Sequence, residues 1–286
     1  MEKMIDDLRS IININSVCEK DLSSAYPFGE GVHMALNKAL EICKSYGFET
    51  KNCENMIGYA EVGSGETLMG ILVHLDVVPA GDGWDTDPFS LEIKDGKVYG
   101  RGVTDDKGPA IAVIHAIKEL LDEGVTFNKR VRIIFGQAEE TGAWEDMEYY
   151  KKNEEAVDFG FTPDADFPAI YGEKGIAHLK IAFKKSDTCF NNVSGGTAIN
   201  MVPDSCTASY SVHGETKTLS VTGKAAHGST PEDGENAISK LMNELSGVVT
   251  DCKLVEFFHE FIKLEYNGES LGGQVSDEAS GPASYN

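Results

Sequence analysis

A nearly continuous apolar run spans residues 67–78 and is interrupted near its end by His74 and Asp76. Such a run is typical of a strand buried on both faces of a sheet, which requires layers above and below it. Further strands are predicted at 130–136 and 157–163, and helices at 2–16, 30–46, 107–122 and 143–152. Because strands alternate with helices, we expect an α/β fold with a mostly parallel sheet and helices on both faces.

Residues 174–286 differ in pattern from residues 1–173. Strands with partial alternation are predicted at 176–184, 204–213 and 217–223, and they are followed by helices at 234–247 and 251–264. Strands that precede helices in this way are typical of a separate α+β domain. We therefore predict two domains, with their boundary after residue 173.

Charge and cysteine content narrow the class of protein. The formal net charge of −22 argues against nucleic acid, whose binding needs basic patches, and against anionic membrane surfaces. No apolar run approaches the roughly 20 residues that a membrane helix needs. The six cysteines include no CxxC pair, and we interpret them as reduced thiols. We expect a soluble, cytoplasmic protein that binds neither nucleic acid nor membranes.

Acidic residues and one histidine follow the predicted strands at four points: His74 with Asp76, Asp105 with Asp106, Glu139 with Glu140, and Asp164. Each point alone has an ordinary interpretation, such as a hydrogen-bonded strand end, a helix-capping acidic pair or a turn aspartate. However, the carboxyl ends of parallel strands meet at one edge of a sheet. Positions 74, 105, 140 and 164 are separated by 31, 35 and 24 residues, each about one strand–helix–strand step. Together the four points predict a site for two divalent metals.

These residue types suit a metal-dependent amide hydrolase, because two metals held by carboxylate and imidazole can activate water and polarise a carbonyl. Asp105 is the candidate for a carboxylate that bridges both cations, and Asp164 is a candidate acidic ligand. Two adjacent glutamates at the end of a buried strand can divide the work, one binding metal and the other accepting a proton. His74 and Asp76 project to the same side of a strand, so Asp76 can orient a ligand.

Several stretches of the sequence resemble one family, the cocatalytic zinc peptidases that include carnosinase, aminoacylase and glutamate carboxypeptidase. The resemblance spans most of residues 1–265 and is strongest to the bacterial PepV-like (Xaa-His) dipeptidase group. It rests on the stretches His74-Leu75-Asp76-Val77-Val78-Pro79, Gly81-Asp82-Gly83-Trp84, Tyr99-Gly100-Arg101-Gly102-Val103-Thr104-Asp105-Asp106-Lys107-Gly108, Glu139-Glu140-Thr141-Gly142 and Thr162-Pro163-Asp164-Ala165-Asp166-Phe167-Pro168. The fold implied is that of a zinc exopeptidase.

The resemblance implies a role for each site residue. The implied metal ligands are Asp105 as the bridge, Glu140 on one metal, and His74 with Asp164 on the other. Glu139 is implied as the general base and then the general acid, and Asp76 as a residue that positions the site. Zinc is the usual metal of the family, two ions in a complete site, with manganese or cobalt as alternatives. The implied substrate is a small peptide.

The second domain also resembles part of the family, its lid domain. The stretch Gly223-Lys224-Ala225-Ala226-His227-Gly228-Ser229-Thr230-Pro231 is similar to the lid motif. In that motif the histidine donates a hydrogen bond to the carbonyl oxygen of the bond being cleaved, so His227 inherits this catalytic and substrate-binding role. Asn200 is a further candidate for a substrate contact. The resemblance thus makes residues 1–173 the catalytic part and residues 174–286 an incomplete lid.

The sequence departs from the family at its C-terminal end. Longer members supply a second metal-binding histidine from a Gly-rich segment after the lid, and no such segment follows here. His259, in a predicted apolar helix, is the alternative closing ligand. One expectation is a dipeptidase whose site is completed by a C-terminal fragment or a homo-oligomer, and the other is a truncated remnant without turnover. On either, we expect the 286-residue chain alone to be weakly active or inactive.

Two other interpretations of the same residues are open. An aminoacylase, a deacetylase or a carboxypeptidase could use the same metal site, because pocket shape and not the metal ligands decides the substrate. A solute-binding or regulatory domain could share the α/β scaffold, although it would not need carboxylates gathered at the sheet edge. Loss of activity on chelation, restored by zinc, separates the enzymes from the binding domain.

Overall fold

The computed structural model describes residues 2–81, 83–165, 168, 170, 179–196, 199–228 and 230–272, together with the backbone of residues 276–277 and 281–282. The chain divides into two compact units, Met1–Ala169 and Ile170–Asn286. The predicted segments 176–178, Asp82, Asp166-Phe167 and Ser229 lie outside the described residues.

The first unit is an α/β structure, as predicted. Its elements in chain order are α1 (Glu2–Ile12), α2 (Glu30–Ser45), β1 (Glu49–Cys53), β2 (Ile57–Val62), β3 (Leu68–His74), β4 (Glu92–Lys94), β5 (Lys97–Tyr99), α3 (Lys107–Asp122), β6 (Arg130–Gly136), α4 (Glu145–Asn153) and β7 (Phe159–Phe161). The main sheet has the order β1-β2-β6-β3-β7. Strands β6, β3 and β7 run parallel, and β1 and β2 add an antiparallel edge.

Helices cover both faces of this sheet. Ile133 and Phe135 of β6 pack into the core formed with α1, α2 and α3, whereas Ile134 between them packs with Tyr150 of α4. Successive strand residues point to opposite faces, so the two cores lie on opposite sides of β6. Within the described residues, no helix is both long and apolar enough to cross a membrane, and the longest, α2 and α3, have 16 residues each.

Parallel pairing places the ends of the predicted site strands side by side. In the pairing of β3 with β6, His74 is opposite Gly136. In the pairing of β3 with β7, Ile71 is opposite Phe161. The chain therefore leaves all three strands at the same edge, and the residues that follow them are neighbours although they are far apart in sequence.

The second unit contains a three-stranded antiparallel sheet, β10-β9-β8, and short helices. Its elements are β8 (Phe190–Gly195), β9 (Ser205–Val212), β10 (Glu215–Thr222), α5 (Ala237–Leu245), α6 (Lys253–Phe257), a π-helical turn (Phe258–Ile262), and the two-residue strands β11 (Ser276–Asp277) and β12 (Gly281–Pro282). The strand predicted at 176–184 is wrong over residues 179–184, which form no strand, and β8 was not predicted.

One face of the β9–β10 pair is buried and the other is exposed. Cys206, Ala208 and Tyr210 alternate with exposed neighbours along β9 and share a core with Leu241 of α5. Residues 213–214 connect β9 to β10, and both have positive φ, 51° and 81°, as a two-residue type I′ turn requires. The alternation of buried and exposed residues along β9 and the tight turn to β10 are local sequence features that specify this sheet.

Candidate metal centre

His74 lies among the acidic residues that were predicted to meet at the sheet edge. Its side chain is only 4% exposed. Three carboxylates face its Nε2 atom: Asp105 Oδ1 at 2.9 Å, Asp164 Oδ2 at 3.5 Å and Glu139 Oε2 at 3.9 Å. One ligand atom each of His74, Asp105 and Asp164 lie within 4.8 Å of one another. Segments from four parts of the first unit therefore converge on one imidazole.

The ring of His74 is oriented by its other nitrogen. Nδ1 lies 3.0 Å from the backbone oxygen of Asp76, and a carbonyl oxygen can only accept, so Nδ1 carries the hydrogen. Burial alone would lower the pKa of His74, but hydrogen bonds with Asp105, Asp164 and Asp76 outweigh it and raise that pKa. The raised pKa favours the protonated ring while carboxylates surround it, and a divalent cation that took the place of the Nε2 proton would bind a ring already oriented through Nδ1.

Asp76 holds the backbone of the glutamate turn. It is fully buried, and its Oδ1 and Oδ2 accept hydrogen bonds from the backbone nitrogens of Glu139 at 3.2 Å and Glu140 at 3.0 Å. These two residues begin a 3₁₀ turn, Glu139–Thr141, which starts three residues after the last residue of β6. Asp76 therefore ties the end of β3 to the end of β6, while the two glutamate side chains stay available for chemistry.

Asp106 has a contact that the sequence did not predict. It stands at the N-cap position of α3, yet its side chain makes no capping hydrogen bond, so the helix-capping interpretation is wrong for this residue. Its Oδ2 instead accepts from the backbone nitrogen of His74 at 3.0 Å. Burial raises the pKa of Asp106 to about 7. Asp105, by contrast, has a side chain that is 58% exposed and points to His74.

The two glutamates are in a strongly acidic environment. Burial raises the pKa of Glu140 to about 7, and the charge of Asp105 adds to this effect. Burial also raises the pKa of Glu139, where the charge of His74 acts in the opposite direction and the charge of Asp164 reinforces the increase. A nearby cation would lower the free-energy cost of ionising both carboxyl groups.

The chemistry of these donors fits a divalent metal. The carboxylates outnumber the one histidine, so the cluster concentrates negative charge that a bound cation offsets. Imidazole nitrogen together with carboxylate oxygen is a ligand combination of zinc, and it also suits manganese and cobalt. His74, Asp105 and Asp164 provide such a combination within 4.8 Å, and the pKa of Glu140 responds to the charge of Asp105.

The other predicted residues lie in the second unit. The backbone nitrogen of Gly228 donates to the backbone oxygen of Asn200 at 2.7 Å, and Met201 pairs with His227 as an isolated antiparallel bridge. The two predicted substrate residues, Asn200 and His227, are thus brought together by backbone pairing. His259, the alternative closing ligand, is exposed in the π-helical turn.

Comparison with known proteins adds to this geometry. Residues 70–280 match the profile of Peptidase family M20/M25/M40. A Staphylococcus saprophyticus protein named as a candidate dipeptidase is 36% identical over 320 residues, covering 99% of this chain and 68% of the relative. The Beta-Ala-Xaa dipeptidase of Lactobacillus delbrueckii subsp. lactis is 32% identical over 325 residues, with the same two coverages.

Solved structures show similar proteins at lower coverage. The dipeptidase Dug1p from Saccharomyces cerevisiae is 28% identical, with a TM-score of 0.49, and the match covers 57% of this chain and 38% of that one. The chain therefore spans about two thirds of the length of the two curated relatives and less than half of the yeast structure.

Proposed function

The chain belongs to peptidase family M20/M25/M40, and on this premise we propose that the complete protein is a zinc-dependent dipeptidase. One observation carries the proposal: three carboxylates face the Nε2 atom of the buried His74 at 2.9–3.9 Å. Relatives named as dipeptidases support the substrate class. The protein therefore cleaves the peptide bond of small peptides.

The residues that would hold the metals are His74 with Asp164, Glu140, and Asp105 between them. A divalent metal bound there would polarise the substrate carbonyl and acidify water, the chemistry that zinc supplies in many hydrolases. Zinc is the proposed metal, two ions per complete site, with manganese or cobalt as alternatives. Asp76 keeps its carboxylate on the backbone of the glutamate turn, and so it orients the site without contacting substrate.

Glu139 is the proposed general base. Its carboxylate lies 3.9 Å from His74 Nε2 and is about half exposed, so it can reach water and substrate at the edge of the site. Its raised pKa brings it closer to the pH at which a group both accepts and returns a proton efficiently. Glu139 therefore takes a proton from the attacking water and passes it to the leaving amine.

His227 and Asn200 are the proposed substrate contacts. His227 donates a hydrogen bond to the carbonyl oxygen as negative charge develops there, a contribution that preorganised donors make to catalysis. Asn200 binds a polar group of the same peptide. Backbone pairing of these two segments supports a joint role, because it holds the two residues side by side.

The second metal and the cellular location are part of the proposal. Within residues 1–286, Asp105 and Glu140 are the proposed protein ligands of the second metal. The protein acts in the cytoplasm, in agreement with six cysteines that form no disulfide, all within the described part of the chain. An aminoacylase, deacetylase or carboxypeptidase with the same metal ligands is the second candidate.

Zinc titration of the 286-residue chain and of two variants tests the proposal. We expect the wild type to bind zinc, His74→Ala to lose it, and Glu139→Gln to keep it. Dipeptide hydrolysis, however weak in this chain, should fall about 100-fold or more in Glu139→Gln, since a general base contributes at least this much. Zinc binding that survives His74→Ala contradicts the site. Faster hydrolysis of N-acetyl amino acids than of free dipeptides favours the aminoacylase.

A further inference from the structure

The turn after α1 contacts the strand segment that carries His74 and Asp76. The hydroxyl of Ser16 donates to the backbone oxygen of Leu75 at 2.7 Å, and Ser16 is fully buried. The backbone nitrogen of Val77 donates to the oxygen of Ser16 at 3.1 Å. Strand β3 ends at His74, and these bonds hold the backbone that follows it. They lie on either side of Asp76, at Leu75 and at Val77.

The same turn also contacts the segment that carries Asp105. Lys107 is fully buried, and its Nζ donates to the backbone oxygens of Ile11 at 3.1 Å and Ile14 at 2.8 Å. Carbonyl oxygens at the C-terminal end of a helix lack partners within the helix and carry partial negative charge, so a lysine ammonium suits them. Lys107 therefore fastens the first residue of α3 to the end of α1.

The Asp105 side chain is largely exposed, and its Oδ1 lies 2.9 Å from His74 Nε2. The next two residues are held from two directions, Asp106 by the backbone nitrogen of His74 and Lys107 by the end of α1. These two neighbours thus fix the backbone that carries Asp105, in addition to the direct contact between its carboxylate and His74. Residues 11–16 thus bond with both ligand-bearing segments.

We propose that Ser16 and Lys107 are positioning residues that set the spacing between His74 and Asp105, and through it the affinity and geometry of the metal site. The inference rests on the proposed function, since it concerns the metal ligands assigned there. Both residues act through hydrogen bonds with backbone: Ser16 bonds Leu75, the residue after His74, and Lys107 lies two residues after Asp105. Loss of such outer contacts costs roughly 10–100-fold in metal affinity in other metal sites.

The test uses the 286-residue chain, two variants and two matched controls. Ser16→Ala removes one hydroxyl and Lys107→Met removes the ammonium while keeping an unbranched side chain. Ser10→Ala is the control for the first, because the Ser10 hydroxyl also donates to a backbone oxygen at 2.7 Å, that of Asp7, within α1. Lys51→Met is the control for the second, because Lys51 bonds Glu154 and no site segment. Zinc affinity and the visible absorption spectrum with cobalt are measured far below each melting temperature.

We expect Ser16→Ala and Lys107→Met to weaken zinc binding about 10-fold or more and to change the cobalt spectrum, while both controls stay within about twofold of wild type. A purely structural role would lower the melting temperature and leave affinity and spectrum unchanged, and that result overturns the inference. If Lys107→Met does not fold, Ser16→Ala decides. Failure of the wild type to bind zinc overturns the proposed function and this inference together, whereas wild-type zinc affinity in Ser16→Ala overturns the inference alone.

Discussion

The two units of this chain are stabilised in different ways. In the first, β3 and β6 are buried along nearly their whole length, and helices α2, α3 and α4 begin without a capping side chain. In the second, β9 buries alternate residues, and α5 begins with a capping Asn236. Helix α6 of the second unit also begins without a capping side chain, so the contrast lies in how the strands are buried and in the cap of α5.

Truncation of a buried core side chain in each unit should have the largest effect on stability and tests this contrast most directly. Phe135→Ala removes a fully buried ring from the first unit and should lower the free energy of unfolding by roughly 3–5 kcal/mol. Leu241→Ala, at a fully buried position of α5, should cost roughly 2–5 kcal/mol and less than Phe135→Ala, because a smaller side chain is removed. Urea unfolding, with hydrogen exchange followed on peptides of each unit, measures both. A larger cost for Leu241→Ala would contradict the view that the first unit relies more on burial.

Acid should weaken the first unit through Asp7. Burial tends to raise the pKa of Asp7, but hydrogen bonds from Tyr46, Lys3 and His115 outweigh it, so the pKa is lowered from 3.8. A carboxyl with a lowered folded-state pKa contributes stability above its unfolded pKa, and this contribution is lost as pH falls through the folded value. Asp7→Asn should therefore cost about 1–3 kcal/mol at neutral pH.

The pH profile of that variant sharpens the prediction. The difference in unfolding free energy between wild type and Asp7→Asn should shrink as the pH is lowered below about 4. Asp251→Asn in the second unit is the control, because Asp251 is exposed at a φ of 59° that asparagine tolerates. It should change the unfolding free energy little at any pH. A difference for Asp7→Asn that stays constant down to pH of about 3 would rule out the charge as its cause.

Removal of the Asn236 cap from α5 in the second unit should change the free energy of unfolding least. Asn236 accepts hydrogen bonds from the backbone nitrogens of Ile238 and Ser239, both at 3.0 Å. Asn236→Ala should cost about 1 kcal/mol, and Asn236→Asp, which keeps the acceptor, only a few tenths. Thermal unfolding of the two variants checks this order. Equal melting temperatures for both variants and wild type would show that α5 does not depend on its cap.

The same contrast explains which elements the sequence predicts. The apolar run of β3 leaves few alternatives to a buried strand, and the residues after it therefore fall at the edge where His74, Asp105 and Asp164 meet. Strands β1, β2 and β8 were not predicted: β1 and β8 each bury a single residue, Cys53 and Phe190, and the buried residues of β2 do not alternate regularly. Without a repeated apolar signal, such strands are specified by their neighbours in the sheet and not by their own sequence.

Ser16 and Lys107, which support the candidate site, could not be predicted from the sequence, because their contacts also depend on distant parts of the chain. Ser16 and Lys107 bond backbone oxygens that are 59 and 93 residues away, and a backbone acceptor has no residue type by which to recognise it. Asp105 and Asp106 are identical side chains, so only the fold decides which faces His74 and which is buried. Residue types thus predict what a site can bind, whereas backbone contacts decide how its ligands are aligned.

The turn at residues 213–214 has a consequence for the order in which the chain folds. It joins β9 directly to β10, so this hairpin can form after closure of a two-residue loop, an event on a timescale of roughly 1–10 μs. Pairing of β3 with β6 brings Leu68 opposite Arg130, and this longer loop has a greater entropic cost of closure. Pulsed hydrogen exchange during refolding should protect β9 and β10 before β3. The ligands of the candidate metal site are then assembled last, after the sheet of the second unit has formed.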